Sequence, residues 1–147
     1  MKKVRLSLRV LPCACANLRR AARAVSQVYD EELRGTGLTI AQFTLLQALT
    51  LAGDITQGGL GRLLVIDSTT LTRTLQPLER KGWIERRTGK DRRERQIVLT
   101  AVGRSRFAKA VPAWNRAQDR LRRKVGRRKW AKLMNDLSRV AEVSARP

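Results

Sequence analysis

The chain has no histidine, which removes both the commonest general base and the commonest metal ligand. Acidic residues are also scarce, 12 against 32 basic ones in 147. Neither a carboxylate cluster nor a glycine-rich phosphate loop can be found. Cysteine occurs only at Cys13 and Cys15. A thiol nucleophile without a base beside it is a poor start for catalysis, so no enzymatic activity is expected. No cofactor and no metal are expected either. Two thiolates without histidine would need ligands from a partner chain to hold zinc. No stretch approaches the roughly 20 apolar residues that cross a bilayer. Near the start, Arg5 and Arg9 interrupt the apolar residues, so no secretory signal is read there. A cytoplasmic protein with reduced cysteines and no membrane partner is the expectation.

What the chain has is positive charge. A net +20 on 147 residues argues for a polyanionic partner, with nucleic acid first and an anionic membrane surface second. The charge is uneven. Residues 39–100 carry ten basic and six acidic side chains, net +4, while residues 101–147 carry fourteen and three, net +11. An apolar fraction of 42% suffices for one core, and the length suits one domain spanning 1–147.

Periodicity places the elements. Leu18, Ala22, Val25 and Tyr29 share a face of a first helix over residues 17–34, ended by Gly35 and Gly37. Thr39, with Gln42 three residues on, forms a capping-box pattern for a second helix that stops at Gly53. A short third helix is predicted over 55–64, where Gly58, Gly59 and Gly61 suit a close helix crossing. Asp67 or Ser68 caps a fourth helix running to Lys81, with Pro77 expected to bend it or loosen its last turn. Residues 83–87 and 96–100 read as two strands of a hairpin turned at Gly89 and Asp91. A long fifth helix starts at Thr100, kinked or divided at Pro112 and broken by Gly126, before a sixth over 127–143.

Two stretches carry chemistry. Ser68, Thr69, Thr70, Thr72 and Arg73 crowd the start of the fourth helix, where hydroxyls and a guanidinium suit base edges and phosphates. The helix dipole adds about half a positive charge at that end. Arg73 suits a bidentate contact to guanine. The turn offers Lys90, Asp91, Arg92, Arg93 and Arg95, and an arginine on a hairpin tip suits a narrow minor groove. Asp91 would be repelled by phosphate, so it is expected to orient Arg73 or Arg93. The competing readings are a capped surface helix with solvated hydroxyls and a solvated charged turn.

Four helices, a two-stranded wing and two more helices, together with Ser68-Thr69-Thr70-Leu71-Thr72-Arg73, Leu78-Glu79-Arg80-Lys81-Gly82-Trp83-Ile84-Glu85-Arg86 and Asp91-Arg92-Arg93 before Ile97-Val98-Leu99-Thr100, resemble the MarR (multiple antibiotic resistance regulator) family. The likeness spans roughly residues 39–106. It implies a mainly α fold: a winged helix-turn-helix head over 39–100, with dimerisation helices in 1–38 and 101–147. It also implies a homodimer on an inverted-repeat operator in double-stranded DNA, with Arg93 as the minor-groove arginine. The function implied is a transcriptional regulator, a repressor released by a small aromatic or anionic effector or by cysteine oxidation. Arg23, Tyr29 and Trp114 are the candidates for an effector cleft, against the reading of Trp114 as core. Cys13 and Cys15 are the redox candidates, against the reading of two small residues at a helix start. A sequence-indifferent architectural DNA binder stays open as the alternative.

Overall fold

The computed structural model describes residues 11–91 and 93–145. The chain folds as α1 (Ala14–Leu33), a 3-10 turn (Arg34–Thr36), α2 (Ile40–Ala52), β1 (Ile55–Thr56), α3 (Gln57–Leu64) and α4 (Ser68–Arg80). Then come β2 (Ile84–Thr88), β3 (Arg95–Leu99), α5 (Ala101–Val125) and α6 (Arg127–Ser144). The mainly α fold with a winged head is thus what forms. Residues 1–10 and 146–147, and Arg92 among the DNA-binding candidates, lie outside the described residues.

The capping box at α2 is present in both directions. Thr39 Oγ1 accepts from the Gln42 N–H at 3.2 Å, and Gln42 Oε1 accepts from the Thr39 N–H at 3.1 Å. Two N–H groups that the helix leaves without partners are satisfied by this exchange.

Several boundaries differ from the sequence reading. The third helix begins at Gln57, because Ile55 and Thr56 are taken by the sheet. They pair with Ile97 and Gln96 of β3. The sheet therefore has three antiparallel strands in the order β1-β3-β2 rather than two. Thr56 then caps α3 by accepting from the Gly59 N–H at 3.0 Å. The first helix starts earlier, at Ala14, with Cys13 as its N-cap residue. Pro77 does not loosen the end of α4. The Gly82 N–H bonds the Glu79 carbonyl at 2.9 Å, three residues back, which tightens the last turn. Pro112 does not divide the fifth helix either, since α5 is one element of 25 residues. Around it Ala110, Ala113 and Ala117 are buried, and such small residues let neighbouring helices pack close to the missing bond.

The core sits between the head and the long helices. Phe43, Leu46 and Leu49 of α2 pack with Leu60 of α3, Leu71, Leu75 and Leu78 of α4, and Ile97 of β3. Phe107 and Trp114 of α5 close it from the other side. At the α3–α4 crossing, a Cβ on Gly61 would stand 3.0 Å from the Ile66 carbonyl and 3.5 Å from Leu71 Cδ2. So among the three glycines of this segment, Gly61 is the one the crossing requires. The turn itself passes through Val65 at φ 54°, a left-handed conformation that costs a β-branched residue energy.

Candidate nucleic-acid interface

The fourth helix is fixed at its start by Asp67. Its Oδ1 accepts from the Thr70 N–H at 2.9 Å, and its Oδ2 accepts from the Thr70 hydroxyl at 2.6 Å. The Thr70 hydroxyl hydrogen bond, followed by the Thr70 backbone bond, holds the Asp67 carboxyl below its ordinary range. A folded-state value below the unfolded one means that the cap stabilises fully at higher pH. That contribution is lost as pH falls through the folded value. Acidification is therefore expected to fray the first turn of α4 before the rest of the head. The check is amide exchange at Thr70 followed down in pH. Equal protection of Thr70 in wild type and Asp67→Ala at neutral pH would show that the cap does not hold this turn.

Beyond the cap, α4 has two faces. Leu71, Leu75 and Leu78 are buried, which directs the opposite side outward. Ser68, Thr69, Thr72, Arg73 and Gln76 line an open groove of about 360 Å³ on that side. Four of these five were expected from sequence. Gln76 was missed, although its place four residues after Thr72 puts it on the same face. Thr70, also expected at DNA, is exposed, and its hydroxyl donates to the Asp67 carboxylate at 2.6 Å.

The wing is β2, β3 and the loop between them. Ile84 pairs with Leu99 and Thr88 with Arg95, so the ladder runs to the edge of the loop. The loop is closed by the Gly89 N–H to the Glu94 carbonyl at 2.9 Å and the Glu94 N–H to the Asp91 carbonyl at 3.0 Å. Asp91 Oδ1 accepts from the Arg93 N–H at 3.0 Å. Asp91 therefore orients Arg93 through its peptide rather than through the guanidinium. Lys90, Arg93 and Arg95 are exposed, and among the described residues no carboxylate pairs with any of them. Their charge is available to a ligand.

The remaining candidates do not form one site. Trp114 stacks on Phe43, with ring centroids 5.7 Å apart at 16°, as part of the core. Tyr29 is buried and donates its hydroxyl to Gln118 Oε1, and burial pushes its phenol up. Arg23 is six residues from Tyr29 on α1, which places it on another side of that helix. It lines a shallow groove of about 420 Å³ with Cys13, Cys15, Arg19 and Arg20. The cleft of Arg23, Tyr29 and Trp114 is thus not assembled in the single chain. Cys13 and Cys15 are both exposed. The segment carrying them is held by Asn17, whose Nδ2 donates to the Cys13 carbonyl at 2.9 Å and whose Oδ1 accepts from the Leu11 N–H at 3.1 Å.

Comparison with known proteins gives concordant results. A model of the MarR family matches residues 36–94. An uncharacterized HTH-type transcriptional regulator of Bacillus subtilis, YwoH, is 33% identical over 90 residues. That match covers 61% of this chain and 66% of YwoH, just under two thirds of the relative's length. The structure of the Mycobacterium tuberculosis transcriptional regulator MosR in complex with DNA is 37% identical with a TM-score of 0.81, covering 90% of this chain and 96% of MosR. The transcriptional repressor CouR, bound to a 23-mer DNA duplex, is 28% identical with a TM-score of 0.79, covering 88% and 92%.

Proposed function

Because the chain belongs to the MarR family of transcriptional regulators, we propose that it acts as a homodimeric repressor that reads an inverted-repeat operator in double-stranded DNA and is released by a small ligand or by oxidation of Cys13 and Cys15. The observation that carries the reading is the outward face of α4. It gathers three hydroxyls, Arg73 and Gln76 on one open groove, in the head whose wing carries exposed Lys90, Arg93 and Arg95. An α-helix fits the major groove, and an arginine on a loop fits the minor groove beside it. MosR and CouR, both determined in complex with DNA, share this architecture and support the assignment.

Dimerisation is supported by what the single chain leaves open. Leu133, Met134, Leu137 and Val140 are 36–42% exposed along one stripe of α6, and α6 buries none of its described residues. Leu18 and Val25 on α1 are exposed to a similar degree. Contiguous apolar stripes of this kind call for a partner surface. A second copy supplies one, and a two-fold axis would place two recognition helices about one DNA turn apart.

One experiment tests the reading. Duplexes selected from a random pool by the full-length protein are expected to contain a short inverted repeat, bound by two chains. Leu137→Glu is expected to give a monomer that loses the repeat while its head stays folded. Peroxide treatment is expected to weaken binding of wild type and not of the Cys13→Ser, Cys15→Ser double variant. Equal affinity for random and selected duplex would instead favour the sequence-indifferent binder, and a steep salt dependence would accompany it.

A further inference from the structure

Behind the groove of α4 runs a chain of side-chain hydrogen bonds from the wing to the reading face. Arg86 of β2 donates from Nη1 to Oε1 of Gln57 at 2.6 Å. Its Nε lies 3.2 Å and 3.3 Å from the two carboxylate oxygens of Glu79. Gln57, the first residue of α3, donates from Nε2 to Oγ1 of Thr72 at 2.7 Å. All four side chains are half-buried.

The direction of every bond in this chain is dictated by the guanidinium. Arginine is always charged and has donors only, so the amide must turn its oxygen toward Arg86. Its NH2 then faces Thr72, and the Thr72 oxygen accepts. A threonine hydroxyl carries one proton, and here that proton is excluded from the bond to Gln57. Thr44, Thr50 and Thr74 donate theirs to the carbonyls of Ile40, Leu46 and Thr70, at 2.8 Å each. Thr72 makes no such bond, and among the described residues its proton has no acceptor. Thr72 lines the same open groove as Ser68 and Arg73.

We propose that Gln57 is a positioning residue that presets Thr72 as a hydrogen-bond donor toward DNA, so that each half-site presents a major-groove acceptor beneath Thr72. Such acceptors are guanine O6 or N7, adenine N7 and thymine O4. The proposal rests on the assignment of α4 as the reading helix and adds a polarity to one of its contacts.

Gln57→Glu separates this role from simple support. The new carboxylate still accepts from Arg86, but its second oxygen has no proton to give. Thr72 must then donate inward to that oxygen and offers only lone pairs to the groove. Base edges that donate, cytosine N4 and adenine N6, become the matching partners. Gln57→Met removes both polar ends and leaves the Thr72 hydroxyl free to rotate.

The test uses full-length protein and a panel of operator duplexes, each with one base pair changed. Wild type is expected to disfavour cytosine, the base whose major-groove edge donates and does not accept, by about fivefold at one position of each half-site, as one hydrogen bond allows. Gln57→Glu is expected to lose or reverse that preference while keeping its ranking at the other positions. Gln57→Met and Thr72→Val are expected to flatten the same position. Parallel profiles for wild type and all three variants overturn the proposal. So does a uniform loss across the panel, since added charge or loosened packing weakens every duplex alike. If Arg73→Ala alters base preference and Gln57→Glu does not, only this inference falls. If Arg73→Ala is also without effect, the reading face itself is misassigned.

Discussion

Gly103→Ala is expected to destabilise the protein by about 3 kcal/mol or more, a cost at the upper end for added volume in a packed site. A Cβ at Gly103 would stand 2.0 Å from the Trp83 carbonyl oxygen and 2.7 Å from Leu99 Cδ1. The nearest atom is backbone, so no rotamer change relieves the clash. The same carbonyl accepts from the Thr100 N–H at 3.1 Å, and the Thr100 hydroxyl bonds the Gly82 carbonyl at 2.7 Å. Making room for one methyl group would therefore pull α5 off the end of the head and break the bonds that fix its first turn. Gly58→Ala is the control, because its nearest neighbour is the flexible end of Arg62 at 3.7 Å. That change is expected to stay within about 1 kcal/mol of wild type, in the stabilising direction. Thermal and denaturant melts of the two variants decide the matter. A Gly103→Ala protein that melts with wild type would show that the junction is looser than its geometry.

Arg93→Ala is expected to lower operator affinity at least about tenfold and to reduce the salt slope by about one counterion. Two features concentrate the effect in Arg93. Its guanidinium has no acidic partner among the described residues, so no intramolecular pair must break before it meets DNA. Its peptide is held by Asp91, so the backbone of Arg93 is tied to the loop before binding. Preorganisation of this kind spares the ordering entropy of association. The loss should be greatest on operators with A·T-rich flanks, whose narrow minor groove attracts arginine. Arg73→Ala should behave differently, relaxing the preference at one base pair rather than weakening all duplexes alike. Equilibrium titrations at several salt concentrations, on operators with A·T-rich and G·C-rich flanks, distinguish the two. An Arg93→Ala affinity equal to wild type would remove the wing from the interface.

Most of the head was legible because its signals are local. The Thr39–Gln42 capping box of α2 and a cap at Asp67 or Ser68 for α4 follow from spacing along each helix. What escaped depends on strand pairing and on contacts distant in sequence. Ile55-Thr56 became a strand because β3, about forty residues later, offered an edge to pair with. Thr70 carries the same hydroxyl as Thr69 and Thr72, and only the cap geometry sets it apart, with its proton given to Asp67. The Gln57–Arg86 bond joins residues 29 apart, and nothing in either neighbourhood announces the other. Trp114, Tyr29 and Arg23 were grouped by a resemblance to related proteins. In the single chain they point to a ring stack in the core, a buried hydroxyl and a surface groove respectively.

The length of α5 gives the proposed dimer mechanical leverage. Its 25 residues span about 37 Å, starting at the wing and ending at the Gly126 elbow. Tilting such a rod by about 5° about the elbow carries the head through about 3 Å, close to the roughly 3.4 Å step between base pairs along one strand. A disturbance among α1, α5 and α6 too small to unfold anything would therefore put one head out of phase with its half-site. In the proposed repressor, binding would be an alignment of two heads, which a ligand or an oxidised thiol among these helices would need only to spoil.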